Sequence, residues 1–167
     1  MAVSMVYMAM PRNSKLQAAI GRVAVRHGQL DFILRMTIKS IREISPKEAR
    51  KETARVMSGK LRERVENLAR KRFGDGPALR RLQELLERCR RTSDERNMLL
   101  HGVFARELDG PDLFMGDGDP GPLPKVRELN ALAKELDDLA NELNHARFEG
   151  GFIYEAIKQS RLIKAGS

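Results

Sequence analysis

Tryptophan is absent from this chain, cysteine occurs once, and aromatic residues make up only 5%. A single cysteine, Cys89, excludes an internal disulfide framework and fits a reducing compartment, which points to the cytoplasm. With so few aromatics, Leu, Ile, Val, Ala and Met must build the core, a composition that favours helices. The three histidines are scattered, so no metal-ligand cluster can be read from their spacing and no cofactor is expected. No apolar run approaches the length of a membrane span. The first ten residues are apolar but lack the basic start and cleavage site of a signal peptide. No glycine-rich phosphate loop occurs, and no elbow pattern marks Ser93 as a nucleophile.

What remains is a chain of 167 residues, 41% hydrophobic and 32% charged, which describes one globular domain with a sizeable core. The net charge of +8 is unevenly placed. Residues 46–91 hold fifteen Lys/Arg against seven Asp/Glu, and residues 107–145 hold three against ten. Such a division can draw an anionic polymer to one face, or the two segments can pair with each other. Arg70, Lys71 and Arg72 are the candidate nucleic-acid-binding cluster.

Periodicity predicts a long first helix, capped by Asn13 or Ser14 and running to about Glu43. His27 fills the gap in its apolar stripe between Val23 and Leu30. Gly28 costs up to about 1 kcal/mol relative to alanine there, which implies close packing. Ser45-Pro46-Lys47-Glu48 reads as a capping box opening a short helix. Ser58 is the expected cap of the next helix, which runs toward Phe73. Another long helix starts at Pro77, carries Leu79, Leu82, Leu86 and Cys89, and reaches His101 with Gly102 as its stop. Residues 103–108 and 112–115 fit a small hairpin, and Gly116 to Pro122 a loop whose Asp-Gly-Asp lacks the later glutamate of a calcium site. A second long helix begins near Lys125, carries apolar positions from Val126 to Leu143 and is interrupted by Gly150-Gly151. A short one from Phe152 to about Leu162 completes the chain. The expected fold is all-α: an antiparallel bundle of four to five main helices with a hairpin-like insertion. Residues 1–13 are expected to be flexible or partner-docked, 14–163 to be the domain, and 164–167 a tail.

The chemistry gathers in Arg96-Asn97-Met98-Leu99-Leu100-His101. Arginine is a permanently charged planar fork that grips phosphate oxygens, and histidine trades protons near neutral pH. On a helix, Arg96 and His101 lie about 140° apart with a rise of about 7.5 Å, whereas Asn97 and His101 share a face. A second copy across a two-fold axis would bring matching residues together. The plain alternative is a C-terminal cap, with His101 favoured by the helix dipole and Arg96 paired with Asp94, Glu95 or an acidic helix. Asp31 and His27 are secondary candidates. They sit one turn apart and can hydrogen-bond, and Asp31 facing the motif helix would orient Arg96 or His101.

The Arg96-to-His101 spacing, with asparagine directly after the arginine and late in a helix, resembles the HEPN superfamily (higher eukaryotes and prokaryotes nucleotide-binding domains). The helix order fits over most of residues 14–163. The resemblance implies a homodimeric, metal-independent endoribonuclease with Arg96 and His101 as its catalytic pair. Toxin members paired with a nucleotidyltransferase antitoxin look like Arg-x4-His-x-Tyr. Here the last position is Val103, so modification of that tyrosine cannot occur. A protein antitoxin or other regulator is a candidate partner on the same resemblance.

Metal-free cleavage suits RNA, whose 2′-hydroxyl is an internal nucleophile. His101 would act as base or acid, Arg96 would stabilise charge on the phosphoryl oxygens, and Asn97 would orient the histidine or bond the phosphate. The expected ends are a 2′,3′-cyclic phosphate and a 5′-hydroxyl. The rival expectation is a non-catalytic helical module that binds nucleic acid through residues 46–91, or a protein through the apolar N-terminus.

Overall fold

The computed structural model describes residues 6–116 and 120–165. The chain is a helical bundle with a small sheet at one end. Its helices are α1 (Ser14–Arg42), α2 (Pro46–Thr53), α3 (Ser58–Phe73), α4 (Pro77–His101), α5 (Val126–Ala146) and α6 (Phe152–Ala165). Strands β1 (Val6–Met8), β2 (Val103–Glu107) and β3 (Asp112–Met115) make an antiparallel sheet in that order.

The helix starts follow from local chemistry. Asn13 Oδ1 accepts from the amides of Lys15 and Leu16 at 3.0 and 3.2 Å, satisfying two donors that the first turn leaves open. Ser45 and Glu48 exchange the two bonds of a capping box, at 3.2 and 2.9 Å. Ser58 departs from expectation. Met57 holds the cap position without a side-chain bond, and the Ser58 hydroxyl donates instead to Asp31 Oδ1 at 2.6 Å. A partly buried acceptor in another helix has taken the group that sequence assigned to the cap.

Two adjoining apolar clusters form the core. One joins Leu34, Ile38 and Ile41 of α1 to Leu61 and Val65 of α3, Leu82 and Leu86 of α4, and Ile153 of α6. The other joins Leu16, Val23 and Leu30 of α1 to Cys89 of α4 and to Leu129, Leu136 and Leu139 of α5. Ile33 and Phe152 pack against both. Gly28 does not mark close packing: a Cβ added there would meet nothing within 4 Å.

The N-terminal stretch also differs from the sequence reading. Residues 6–8 lie against the chain's own hairpin, with Tyr7 opposite Arg106 and Met8 opposite Ala105. Asp112 ties this region down, accepting from the Arg12 amide at 2.7 Å and from Arg106 Nε at 2.6 Å. The residues before Val6 lie outside the described residues, as do Asp117–Asp119 of the candidate loop and Gly166 and Ser167 of the expected tail. At the other end α6 runs on to Ala165.

Helix α4 ends at His101, as the sequence predicts, but Gly102 does not turn left-handed. Its φ of −71° and ψ of 154° send the chain directly into β2. The motif's last residue is thereby fixed between a helix and a sheet.

Candidate functional site

Helices α1, α3 and α4 enclose a solvent-open cleft of about 940 Å³. His27 and Asp31 line it from α1, Ser58, Lys60 and Arg62 from α3, and Ser93, Arg96, Asn97 and His101 from α4. All five candidates from the motif and from α1 therefore meet in one cleft of one chain. The angular separation of Arg96 and His101 along α4 does not prevent this.

The floor of the cleft is a polar break in two apolar stripes. His27 interrupts α1 between Val23 and Leu30, and Ser93 continues the α4 stripe after Leu86 and Cys89; the two side chains face each other, 5% and 2% exposed. Buried polar groups need partners, and here they find one another. His27 Nε2 lies 3.3 Å from Ser93 Oγ, and Arg62 Nη1 donates to the same oxygen at 3.2 Å. On its other side His27 Nδ1 stands 3.9 Å from Asp31 Oδ2, a charge contact rather than a hydrogen bond. Burial pushes the His27 pKa below its ordinary value. Asp31 pulls it up, while Arg96 and Arg62 push it further down.

Above this floor the motif side chains reach solvent. Arg96 is partly buried and His101 exposed. Arg96 Nη1 donates to Asn97 Oδ1 at 2.9 Å, so the asparagine braces the arginine in this structure. Arg96 Nε is buried without a hydrogen-bond partner among the described residues. Neither Asp94 nor Glu95 pairs with Arg96; Asp94 is bound by Arg90 at 2.8 Å. The pairing that would have made Arg96 a purely structural residue is absent among the described residues.

The basic cluster lies apart from this cleft. Arg70 is held by Glu66 at 3.1 Å and Asp75 at 2.6 Å, and Arg72 by Glu43 at 2.6 Å. Lys71 is exposed beside a separate, shallower groove. Much of the surplus charge of residues 46–91 is likewise matched: Lys60 by Glu63, Arg64 by Glu52, Arg90 by Glu87, and Arg88 by Glu135 and Glu142 of the acidic segment.

Sequence reasoning missed Arg62, Ser58 and Ser93 as cleft residues. Ser58 and Arg62 are four apart on α3 and so share a face, which was the one signal present. Their partners lie 27 and 31 residues away. Among the described residues, no group of three or more His, Cys, Asp and Glu side chains is placed to hold a metal ion. Compared with family models, curated proteins and solved structures, the chain finds no match.

Proposed function

We propose that this protein is a HEPN-like, metal-independent endoribonuclease acting as a homodimer in the cytoplasm, in a toxin or defence role. The observation that carries the reading is that Arg96, Asn97 and His101 open onto one cleft, with the Arg96 guanidinium unclaimed by any carboxylate among the described residues.

The chemistry follows from the substrate's own nucleophile. The 2′-oxygen attacks the adjacent phosphorus, an O2′–P bond forms and the P–O5′ bond breaks. The 2′-proton passes to a neutral histidine, and a protonated histidine delivers one to the leaving 5′-oxygen. Two copies of His101, brought together by a dimer, would supply one of each. Arg96 stabilises the charge that builds on the two non-bridging oxygens, in a partly dry cleft where such a contact is stronger than in water. Asn97, by accepting from Arg96 Nη1, holds that fork in its bracing rotamer. Products carry a 2′,3′-cyclic phosphate and a 5′-hydroxyl.

The test is cleavage of single-stranded RNA in EDTA. Arg96→Ala and His101→Ala are each expected to lower the rate by at least about a hundredfold, the range for removing an acid–base group or a charge-stabilising donor. Circular dichroism should report an unchanged helical fold. Cutting that persists in both variants would show a contaminant or another site at work.

A further inference from the structure

Arg62 is the cleft residue that the motif does not explain. It is partly buried, and the one side-chain hydrogen bond it makes among the described residues is the 3.2 Å contact from Nη1 to Ser93 Oγ. Its Nη2 extends over the start of α3, 3.8 Å from where a Cβ on Gly59 would stand. No ion pair forms on it among the described residues. The acids that share the cleft are otherwise engaged: Glu87 is paired with Arg90 at 2.7 Å, Glu63 with Lys60 at 2.7 Å and Glu66 with Arg70 at 3.1 Å, and Asp31 accepts from Ser58 at 2.6 Å.

That condition is uncommon for a partly dry guanidinium in this molecule. Arg64, Arg72, Arg88 and Arg106 each hold a carboxylate. Arg35 and Arg147, which have none, are held otherwise: Arg35 donates to the carbonyls of Thr53 and Val56, and Arg147 donates to Asn144 Oδ1 and lies over the Phe148 ring. Arg62 and Arg96 alone combine partial burial, an open cleft and the lack of any anion among the described residues. Both line the same cleft as His27, Arg62 being joined to it through Ser93 Oγ, and both push against its protonation. Two planar forks lining one cleft, neither ion-paired among the described residues while the acids beside them are held by other partners, form a receptor for oxygen anions.

We propose that Arg62 binds a second phosphate of the RNA strand, next to the scissile phosphate held by Arg96. This rests on the cleft being the site of cleavage. The site therefore recognises at least two phosphates of a single strand, and a substrate with only one would bind at half of it.

The test uses a 2′-O-methyl RNA oligonucleotide, which binds without being cut, and measures its dissociation constant across a potassium chloride series. Each phosphate neutralised on a single strand contributes about 0.7 to the slope of log K against log salt. Arg62→Gln is expected to weaken binding about tenfold at low salt and to make the slope shallower by roughly 0.7. Gly59→Glu leaves Arg62 and its serine contact in place but sets a carboxylate beside Nη2, at an exposed first-turn position that tolerates acid. It should reproduce the slope change, and it keeps the test valid if Arg62→Gln fails to fold. Ser93→Ala removes the brace but no charge, and should keep the wild-type slope. A wild-type slope in the glutamine and glutamate variants overturns the assignment, as does an equal loss in Ser93→Ala, or no binding by the wild type. Cleavage of unmodified RNA is scored separately. Binding that depends on Arg62 without cleavage keeps Arg62 as a phosphate contact but removes the nuclease reading and the scissile phosphate beside it, whereas cleavage with binding indifferent to Arg62 keeps the nuclease reading and removes the Arg62 contact.

Discussion

His27 Nε2 stands 3.3 Å from Ser93 Oγ, joining α1 to α4 beneath the cleft. Arginine only donates, so Ser93 Oγ accepts from Arg62 Nη1; with a second lone pair and its own hydrogen, that oxygen can meet either neutral tautomer of His27. His27 Nδ1 faces Asp31 Oδ2 on the other side at 3.9 Å. The resulting chain runs from α3 through α4 and back to α1, and Ser58 closes it by donating to the other Asp31 oxygen.

This arrangement predicts a pH-dependent stability. Folded His27 resists protonation because it is buried and faces Arg96 and Arg62, with Asp31 only partly offsetting them. In the unfolded chain it takes a proton near about pH 6.5. Between those two values the unfolded state binds more protons, so stability rises with pH. The contribution of neutral His27 is complete above about pH 6.5 and is lost as pH falls toward the folded value. Urea unfolding of wild type and His27→Gln, compared from about pH 8 to about pH 5, should show a difference that shrinks below the unfolded pKa. A difference that stays flat would mean that folding does not shift the imidazole's pKa, and one that grows as pH falls would mean that the fold favours the charged form.

Cys89 is expected to be inert. Its side chain is 1% exposed in the seam of α1, α4 and α5, and burial pushes the thiol pKa up to about 12. Only the thiolate reacts, and at about pH 8 almost none is present. A disulfide reagent should leave the native protein unlabelled and titrate one thiol after guanidinium is added. Rapid labelling of the native chain would mean that the seam opens far more often than its packing implies.

How much of this could be read beforehand depended on the range of each interaction. Asn13, Ser45 with Glu48, and the apolar stripes of the long helices act within one or two turns, so their residues stand close in the sequence. The all-α bundle and the hairpin after the motif helix followed from them. Arg96, Asn97 and His101 were found because they are adjacent, and His27 because it interrupts a stripe. Ser93 and Arg62 could not be found that way. Their contacts cross 66 and 31 residues and depend on how α1, α3 and α4 are packed. The strand at Val6–Met8 was hidden for the same reason, its partners lying about a hundred residues on. Gly28 misled because helix propensity registers a cost without saying whether packing or open solvent lies outside.

Asp112 should govern whether the first strand stays paired. One oxygen accepts from the Arg12 amide and the other from Arg106, whose Nη2 also reaches the Met10 carbonyl at 3.1 Å. The Arg12 amide, followed by the Arg106 side chain, holds the Asp112 carboxyl below its ordinary range. Its contribution is present above the unfolded carboxylate pKa and is lost as pH falls through the lower folded value. Asp112→Asn is therefore expected to speed hydrogen exchange several-fold at the Arg12 amide and in β1 at neutral pH, with the core amides of α1 and α5 unchanged. Equal rates in the two proteins would show that strand pairing alone holds this segment.

Gly102 couples the motif helix to the sheet through space rather than through backbone freedom. A Cβ added there would stand 2.1 Å from Phe114 Cζ and 2.4 Å from Cε2, far inside any contact distance. The Phe114 ring packs on Phe104 with centroids 5.1 Å apart, so moving it disturbs that contact. Gly102→Ala must therefore displace the ring, the start of β2 or the last turn of α4. Overpacking of this kind typically costs about 1–3 kcal/mol. If the strain lies between these two residues, Phe114→Ala should relieve it, and the alanine pair should be less destabilised than the two single changes added together. Urea unfolding of the four proteins measures this, and strict additivity would refute it. The same cycle run on RNA cleavage asks whether the hairpin helps place His101, which ends α4 immediately before Gly102. Gly102→Ala should lower the rate, and Phe114→Ala should restore part of it by allowing α4 to end where it does now.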